Sequence, residues 1–234
     1  MNSNYQGYLQ RRLLIPLAVV IATTAVAFII VIAWHIDAGI RHDAQMQSRI
    51  ATTIYQSDVK TDINMMLPLM TMLQRDEQIR EAFTRRDRET LLRLTAPLYE
   101  HLNREHNITH IYFTNPDRIN LLRVHNPGRF GDRIERFTTL EAERSGQMSH
   151  GLELGVVGTF TLRVVIPWYH QGELIGYLEL GEEIDHIIAR LRQLLDLEIY
   201  VFIRKSLLDP QKANELAQLT GRHVDWGRYA DYLL

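Results

Sequence analysis

The sequence predicts an α+β protein, an antiparallel sheet carried on a long N-terminal helix and preceded by one transmembrane helix. Three observations predict it. Residues 13–34, LLIPLAVVIATTAVAFIIVIAW, hold no charged side chain. Residues 36–75 then place apolar side chains mostly at three- and four-residue steps, with Arg, Asp and Gln between them. From residue 108 the pattern changes to short strand-like runs bounded by Gly, Pro, Asn and Asp. A long helix, a hairpin, a short helix and a three-strand meander make an α+β order with an antiparallel sheet.

Composition narrows the function classes. At 234 residues there is room for one medium domain plus an anchor. The formal net charge of −2 gives no overall basic field to attract nucleic acid. The absence of cysteine removes disulfides, Cys-ligated zinc, iron–sulfur clusters and thiol catalysis.

Residues 1–12 form a short tail and residues 13–35 the membrane span. At about 1.5 Å per residue the apolar run covers roughly 33 Å, enough for the hydrocarbon core of a bilayer. A cleaved signal sequence competes, because Ala25-Val26-Ala27 resembles a small-residue cleavage site. Seven strongly apolar residues follow that tripeptide, however, and the run is longer than a signal core. Arg11 and Arg12 flank its start without a nearby acid, whereas Asp37, Arg41 and Asp43 roughly balance beyond its end. The positive-inside rule therefore keeps the tail in the cytoplasm and puts the remainder outside, with a single crossing.

Residues 36–106 read as a helical stalk and a second helix. Ile40, Ala44, Ile50, Ala51, Ile54, Ile63, Leu67, Met70 and Leu73 mark the first stripe. Pro68 is expected to kink or interrupt it. Met65, Met66, Met70 and Met72 fit irregular core filling against a sheet, or a Met-lined groove. The second stripe is Ile79, Phe83, Leu91, Leu94, Leu98 and Leu102, with Arg85, Arg86 and Arg88 in a solvated connection.

Residues 107–184 supply the sheet. HIYFT and INLLRVH flank Asn-Pro-Asp-Arg, a β-turn with Pro116 at its second position. Thr138-x-x-Glu141 reads as a capping box and Gly146 as a helix stop, giving a short helix at TLEAERS. HGLELG, TFTLRVVIPWY and ELIGYLELG follow as strands. In the last hairpin a simple register puts Phe160, Leu162, Val164 and Ile166 on one face with Leu174, Gly176, Leu178 and Leu180, against the long helix. Arg163, Val165, Ile175, Tyr177 and Glu179 then share the opposite face. Residues 185–234 add a helix, a strand at LEIYVFIRK and a terminal helix opened by Asp209-Pro210.

The order of anchor and long helix, followed by YFTNPDRINLLRVHNPGRFGD, GLELGVVGTFTLRVVIPWY and GELIGYLELGEEI, resembles the Cache superfamily of bacterial sensors. It is most similar to the double-Cache-type input domains of sensor kinases, chemoreceptors and diguanylate cyclases. The likeness covers roughly residues 37–208 and is most specific over residues 108–184. It implies a PAS-like antiparallel sheet and a pocket between one sheet face and the covering loops that binds a small molecule. The Arg-x-Trp-Tyr run of amino-acid-binding Cache receptors is absent, since Trp168-Tyr169 follows Pro167. No second membrane helix, kinase or cyclase segment follows within the sequence, so output is expected through a partner chain or a missing C-terminal domain.

Within residues 110–132 the chain is dense in cationic and aromatic side chains. Donors such as Arg and His, held over a sheet, suit an anionic ligand group, at about 1.5–3 kcal/mol per charge-assisted hydrogen bond. Two or three such bonds and an aromatic wall reach the ~4–8 kcal/mol of millimolar to micromolar sensing. The expected binding residues are Tyr112, Arg118, Arg123, His125, Arg129, Asp132, Arg163, Trp168, Tyr169 and Tyr177. In this reading Asp132 orients an arginine, and Trp168 and Tyr169 form a lid. The competing reading leaves the arginines at the surface, paired with Asp117, Asp132 and Glu135.

Neither catalysis nor a cofactor is indicated. Ser145 and Ser149 lack nucleophile-elbow glycines. Glu182 and His186 stand four apart on a helix but lack the second His of a zincin, and His101, His106 and His110 share no helical face well. The expected partners are therefore a small anionic ligand, the membrane and a second copy paired along the long helix, with no nucleic acid. A membrane-tethered interaction module without a ligand is the alternative.

Overall fold

The computed structural model describes residues 3–155, 159–211, 214 and 225–233. The chain divides into two compact units, residues 1–53 and 54–234. Helix α1, Ser3–Arg75, begins in the first. There the apolar side chains from Leu14 onward are exposed, Phe28 at 65%. One window of α1 is apolar and long enough to cross a bilayer, with a mean hydropathy of 2.8.

In the second unit the end of α1 meets a five-stranded antiparallel sheet. The strands are β1 (Ile108–Thr114), β2 (Asn120–Arg123), β3 (Ser149–Leu154), β4 (Phe160–His170) and β5 (Glu173–Glu183), in the order β2-β1-β5-β4-β3. One sheet face receives Met66, Met70 and Leu73 of α1, Phe83 of α2 (Glu77–Thr84), and Leu91 and Leu102 of α3 (Arg88–His106). Ile111, Phe113, Leu162, Val164, Leu178 and Leu180 meet them there. Met66 and Met70 are core filling, whereas Met72 is half exposed.

Of the two outcomes expected at Pro68, interruption does not occur, since α1 continues to Arg75. Pro68 removes one N–H and costs about 3 kcal/mol. Burial of Met66, Met70 and Leu73 around it contributes about 1.5–3 kcal/mol each and outweighs that loss. The connection around Arg85–Arg88 is a turn, and the helices on either side of it carry aspartate caps. Asp76 accepts from the Ile79 amide and Asp87 from the Thr90 amide, both at 3.0 Å.

The pairing of β4 with β5 corrects the simple register. Val164 faces Leu180 and Ile166 faces Leu178 as expected, but Trp168 faces Gly176 and Tyr169 faces Leu174, leaving Ile175 as an extra residue. Gly176 sits at φ 149°, where a Cβ would lie 2.2 Å from the Thr114 carbonyl and 2.5 Å from Phe83 Cζ. The bulge exchanges two residues between faces: Ile175 packs on the helix side and Leu174 on the other.

On that other face lies α4, Phe137–Ser145, closed by Gly146 at φ 66°. The Thr138/Glu141 capping box does not form. Glu153 of β3 accepts from both the Thr138 amide and its hydroxyl, while Glu141 pairs with Arg144. Helix α5, Asp185–Leu195, follows β5. The strand expected at LEIYVFIRK shrinks to β6, Ile203–Arg204, paired with β7, Tyr232–Leu233. Most of the expected terminal helix lies outside the described residues.

Candidate ligand-binding face of the sheet

Strand pairing alone assembles the polar face. Tyr112 is paired with Arg123 on one side and Glu179 on the other, and Glu179 in turn with Val165. Directly paired residues project to the same side of a sheet, as do residues two apart. His110, Tyr112, Arg123, Arg163 and Glu179 therefore share the face opposite the helices. Arg136, immediately before α4, reaches into the same group.

Tyr112, only 5% exposed, is the platform. The guanidinium carbons of Arg123, Arg136 and Arg163 lie 4.9, 5.1 and 5.7 Å from its ring centre. Each cation has a carboxylate. Arg123 makes a two-pronged pair with Asp132, at 2.6 and 2.7 Å, and also donates to the Arg129 carbonyl. Arg136 donates to both Glu179 oxygens, at 2.9 and 2.7 Å, and Arg163 donates to Glu179 Oε1. The Nε atoms of Arg136 and Arg163 each lie 3.2 Å from Glu153 Oε2. Burial by itself would raise Glu179, but Arg136 and Arg163 reverse the effect and hold it below the usual carboxylate range. Hydrogen bonds from Arg123 do the same for Asp132.

Two imidazoles complete the group. His125 stacks on Tyr112 at 5.4 Å, and His110 meets His125 edge-on at 4.6 Å. Burial, then the Arg163 charge, depresses His110 to about 2; burial and Arg123 depress His125 to about 4. Both are neutral at physiological pH. His125 Nδ1 and Arg123 Nε are buried without a hydrogen-bond partner.

Of the residues expected from the sequence, Tyr112, Arg123, His125, Asp132 and Arg163 come together here. Arg129 contributes its carbonyl and leaves its side chain exposed. Arg118, at φ 63°, pairs with Glu143 of α4 at 2.9 Å, and Tyr177 is buried with Ala142 and Val165 under the same helix. Trp168 does not form a lid. It shares the parity of Leu162, Val164 and Ile166, so it packs among Phe83 and Phe113 on the helix side, 2% exposed. Tyr169 is half exposed, with its hydroxyl beside Gly146. His110, Arg136, Glu153 and Glu179 went unrecognised as site residues. The alternation shared with Tyr112 and Arg163 pointed to His110 and Glu179. Nothing in the spacing pointed to Arg136 or Glu153, which arrive through tertiary packing.

The sequence model of a Cache family, described as the double sensory domain of two-component sensor kinase, matches residues 53–223. No curated protein matches significantly. Among solved structures, a domain of a sensory box/GGDEF family protein from Vibrio parahaemolyticus superposes with a TM-score of 0.52 at 13% identity, over 82% of this chain and 92% of that one. The sensor domain of DcuS from E. coli gives 0.47 at 18% identity, over 59% and 98%. The ligand-binding domain of the amino-acid chemoreceptor PctC from Pseudomonas aeruginosa, solved with GABA, gives 0.43 at 17%, over 70% and 74%. The likeness to the Vibrio domain is one of fold.

Proposed function

We propose, from the premise that this chain belongs to the Cache family of double sensory domains of two-component sensor kinases, that it is a membrane-anchored extracytoplasmic sensor domain taking a small anionic metabolite on the Tyr112–Arg123 face. The observation that carries the reading is Asp132 on Arg123. The guanidinium is buried, with its side chain 3% exposed, whereas the Asp132 side chain is 43% exposed and sits on the segment between β2 and α4. A ligand carboxylate of the same shape exchanges with Asp132 without stranding a buried charge, because Asp132 is already half in water. Glu179 and Glu153 are too buried to leave in the same way. The unpartnered Arg123 Nε and His125 Nδ1 offer further bonds at the same place.

Exchange also provides a signal. The Asp132 carbonyl accepts from the Asn120 amide, and the Gly131 amide donates to the Asn120 carbonyl, so release of Asp132 loosens the edge of β2. Met66 and Met70 of α1 pack on the reverse side of the same sheet. For transmission the ligand must favour one of the two arrangements, since equal affinity shifts nothing. Exposed Ile40, Met46 and Ile50 on α1 support pairing with a second copy, through which the displacement reaches an output partner. The anchor and the Arg11-Arg12 flank support a cytoplasmic tail and an outer domain.

The match of three arginines to three carboxylates favours the second reading, a tethered interaction module whose polar cluster is purely structural. A thermal-shift screen of the chain from residue 37 onward against organic acids, amino acids and other small metabolites separates the two. The sensor reading expects a saturable rise in melting temperature with at least one anionic compound, lost in Arg123→Gln. A screen without a hit, or a hit of equal strength in Arg123→Gln and Arg163→Ala, favours the module.

A further inference from the structure

On the helix side of the sheet, away from the arginine cluster, a second polar group lies between α1 and the β5–α5 junction. Asp62 of α1, Glu182 of β5 and His186 of α5 bring one donor atom each to within 4.8 Å of one another. Glu182 is 1% exposed, and its Oε1 is buried with no hydrogen-bond partner. Asp62 Oδ2 is buried and lacks a hydrogen-bond donor as well. His186 Nδ1 lies 3.0 Å from the Glu183 carbonyl, which only accepts, so Nδ1 carries the proton. That leaves Nε2, 3.5 Å from Asp62 Oδ2, as a lone pair directed at the carboxylates. An imidazole oriented through its other nitrogen by a carbonyl is the arrangement metal-binding histidines use. One turn earlier on α1, Asp58 meets Arg190 of α5 at 3.2 Å, so the neighbouring rung already has its cation. The Asp62 rung has two carboxylates and no cationic side chain among the described residues.

We infer that Asp62, Glu182 and His186 form a site for a divalent ion of the zinc type, which clips α1 to the β5–α5 junction. Two carboxylate oxygens and one imidazole nitrogen suit a borderline first-row ion better than calcium or magnesium, which take oxygen ligands. Donor atoms about 3.4 Å apart would complete three corners of a tetrahedral shell, so shifts of about 1 Å close the site. The half-buried His186 leaves the fourth corner toward solvent. The sequence spacing concealed this set, because its third ligand comes from a helix 120 residues upstream of Glu182. The inference is independent of ligand binding at Arg123.

The test uses the full chain in detergent, stripped with a chelator, dialysed and titrated with Zn²⁺ by calorimetry and thermal melting. The expected result is one saturable ion per chain and a melting temperature about 5–10 °C higher at a hundredfold excess over Kd. Glu182→Gln and His186→Gln should each weaken the ion by at least about 10–100-fold, the loss typical of even outer-shell partners. Should Glu182→Gln fail to fold, the partly exposed His186→Gln carries the test. The His101/His106 pair, with ring centres 6.1 Å apart, is the control for adventitious binding. Absence of saturable binding, full binding in both variants, or binding removed by His101→Ala/His106→Ala overturns the site. So does a stabilisation obtained by acid alone and not by Zn²⁺, which would make a shared proton the occupant.

Discussion

Glu179 and Arg163 pose the problem of the polar face at the scale of single residues. Both are almost fully buried, and such a pair stabilises only while it is complete. Arg163→Ala leaves Glu179 to Arg136 alone and takes one of two cations from Glu153, and should cost about 1.5–3 kcal/mol in a denaturant melt. Arg163→Met with Glu179→Leu should not recover that loss, because Arg136 then loses the carboxylate that it holds with two hydrogen bonds. Three buried groups shape the pH response above about pH 4.5: two histidines and, with the opposite sign, Glu182, which burial and then Asp62 raise to about 9. The histidines' folded pKa values, about 2 for His110 and about 4 for His125, lie below the ordinary 6.5. Below pH 6.5 the unfolded chain therefore binds protons that the folded chain refuses. Stability should fall progressively as pH drops from 6.5 toward 4, before protonation of Asp132 and Glu179 removes their depressed-pKa contribution as well. Melting temperatures of wild type and His125→Gln measured between pH 7.5 and 4.5 check this: the fall below pH 6.5 should be smaller in the variant, and profiles of equal slope would mean that His125 is solvated.

At the scale of elements, the bulge at Gly176 decides which residues reach which face. Gly176→Ala puts a methyl group into the Thr114 carbonyl and the Phe83 ring at a backbone angle that only glycine adopts easily. It should destabilise the domain by about 2–4 kcal/mol, read as a lowered denaturation midpoint. The strands themselves were legible in the sequence, because alternation places Arg163, Tyr177 and Glu179 opposite Leu162, Val164 and Leu178 in any register that buries the apolar set. The exchange of Leu174 and Ile175 was not legible, since an inserted residue breaks the period of two without changing composition. Trp168 is expected as part of a lid with Tyr169, although it shares the parity of Leu162, Val164 and Ile166 and so belongs to the core. Thr138 looked like a capping box, but Glu153, which is distant in sequence, serves as its partner. Local spacing reveals periodic elements well; it does not reveal partners supplied by another strand.

In the molecule as a whole, α1 carries an apolar segment near its start and packs its end on a sheet that has one packed face and one charged face. The charged face was legible as a density of Arg, His and Tyr in residues 110–132, and only the tertiary structure shows that its cations already hold carboxylates. Binding at this face therefore requires exchange at Arg123. Calorimetric titration of an anionic compound found in the thermal-shift screen, against wild type, Asp132→Asn and Arg123→Gln, tests the claim most directly. The expected affinity order is Asp132→Asn, then wild type, then Arg123→Gln, with about tenfold or more between neighbours, because the first variant removes the competing carboxylate and the last removes the guanidinium. Equal affinity in all three, or weaker binding in Asp132→Asn than in wild type, would contradict it.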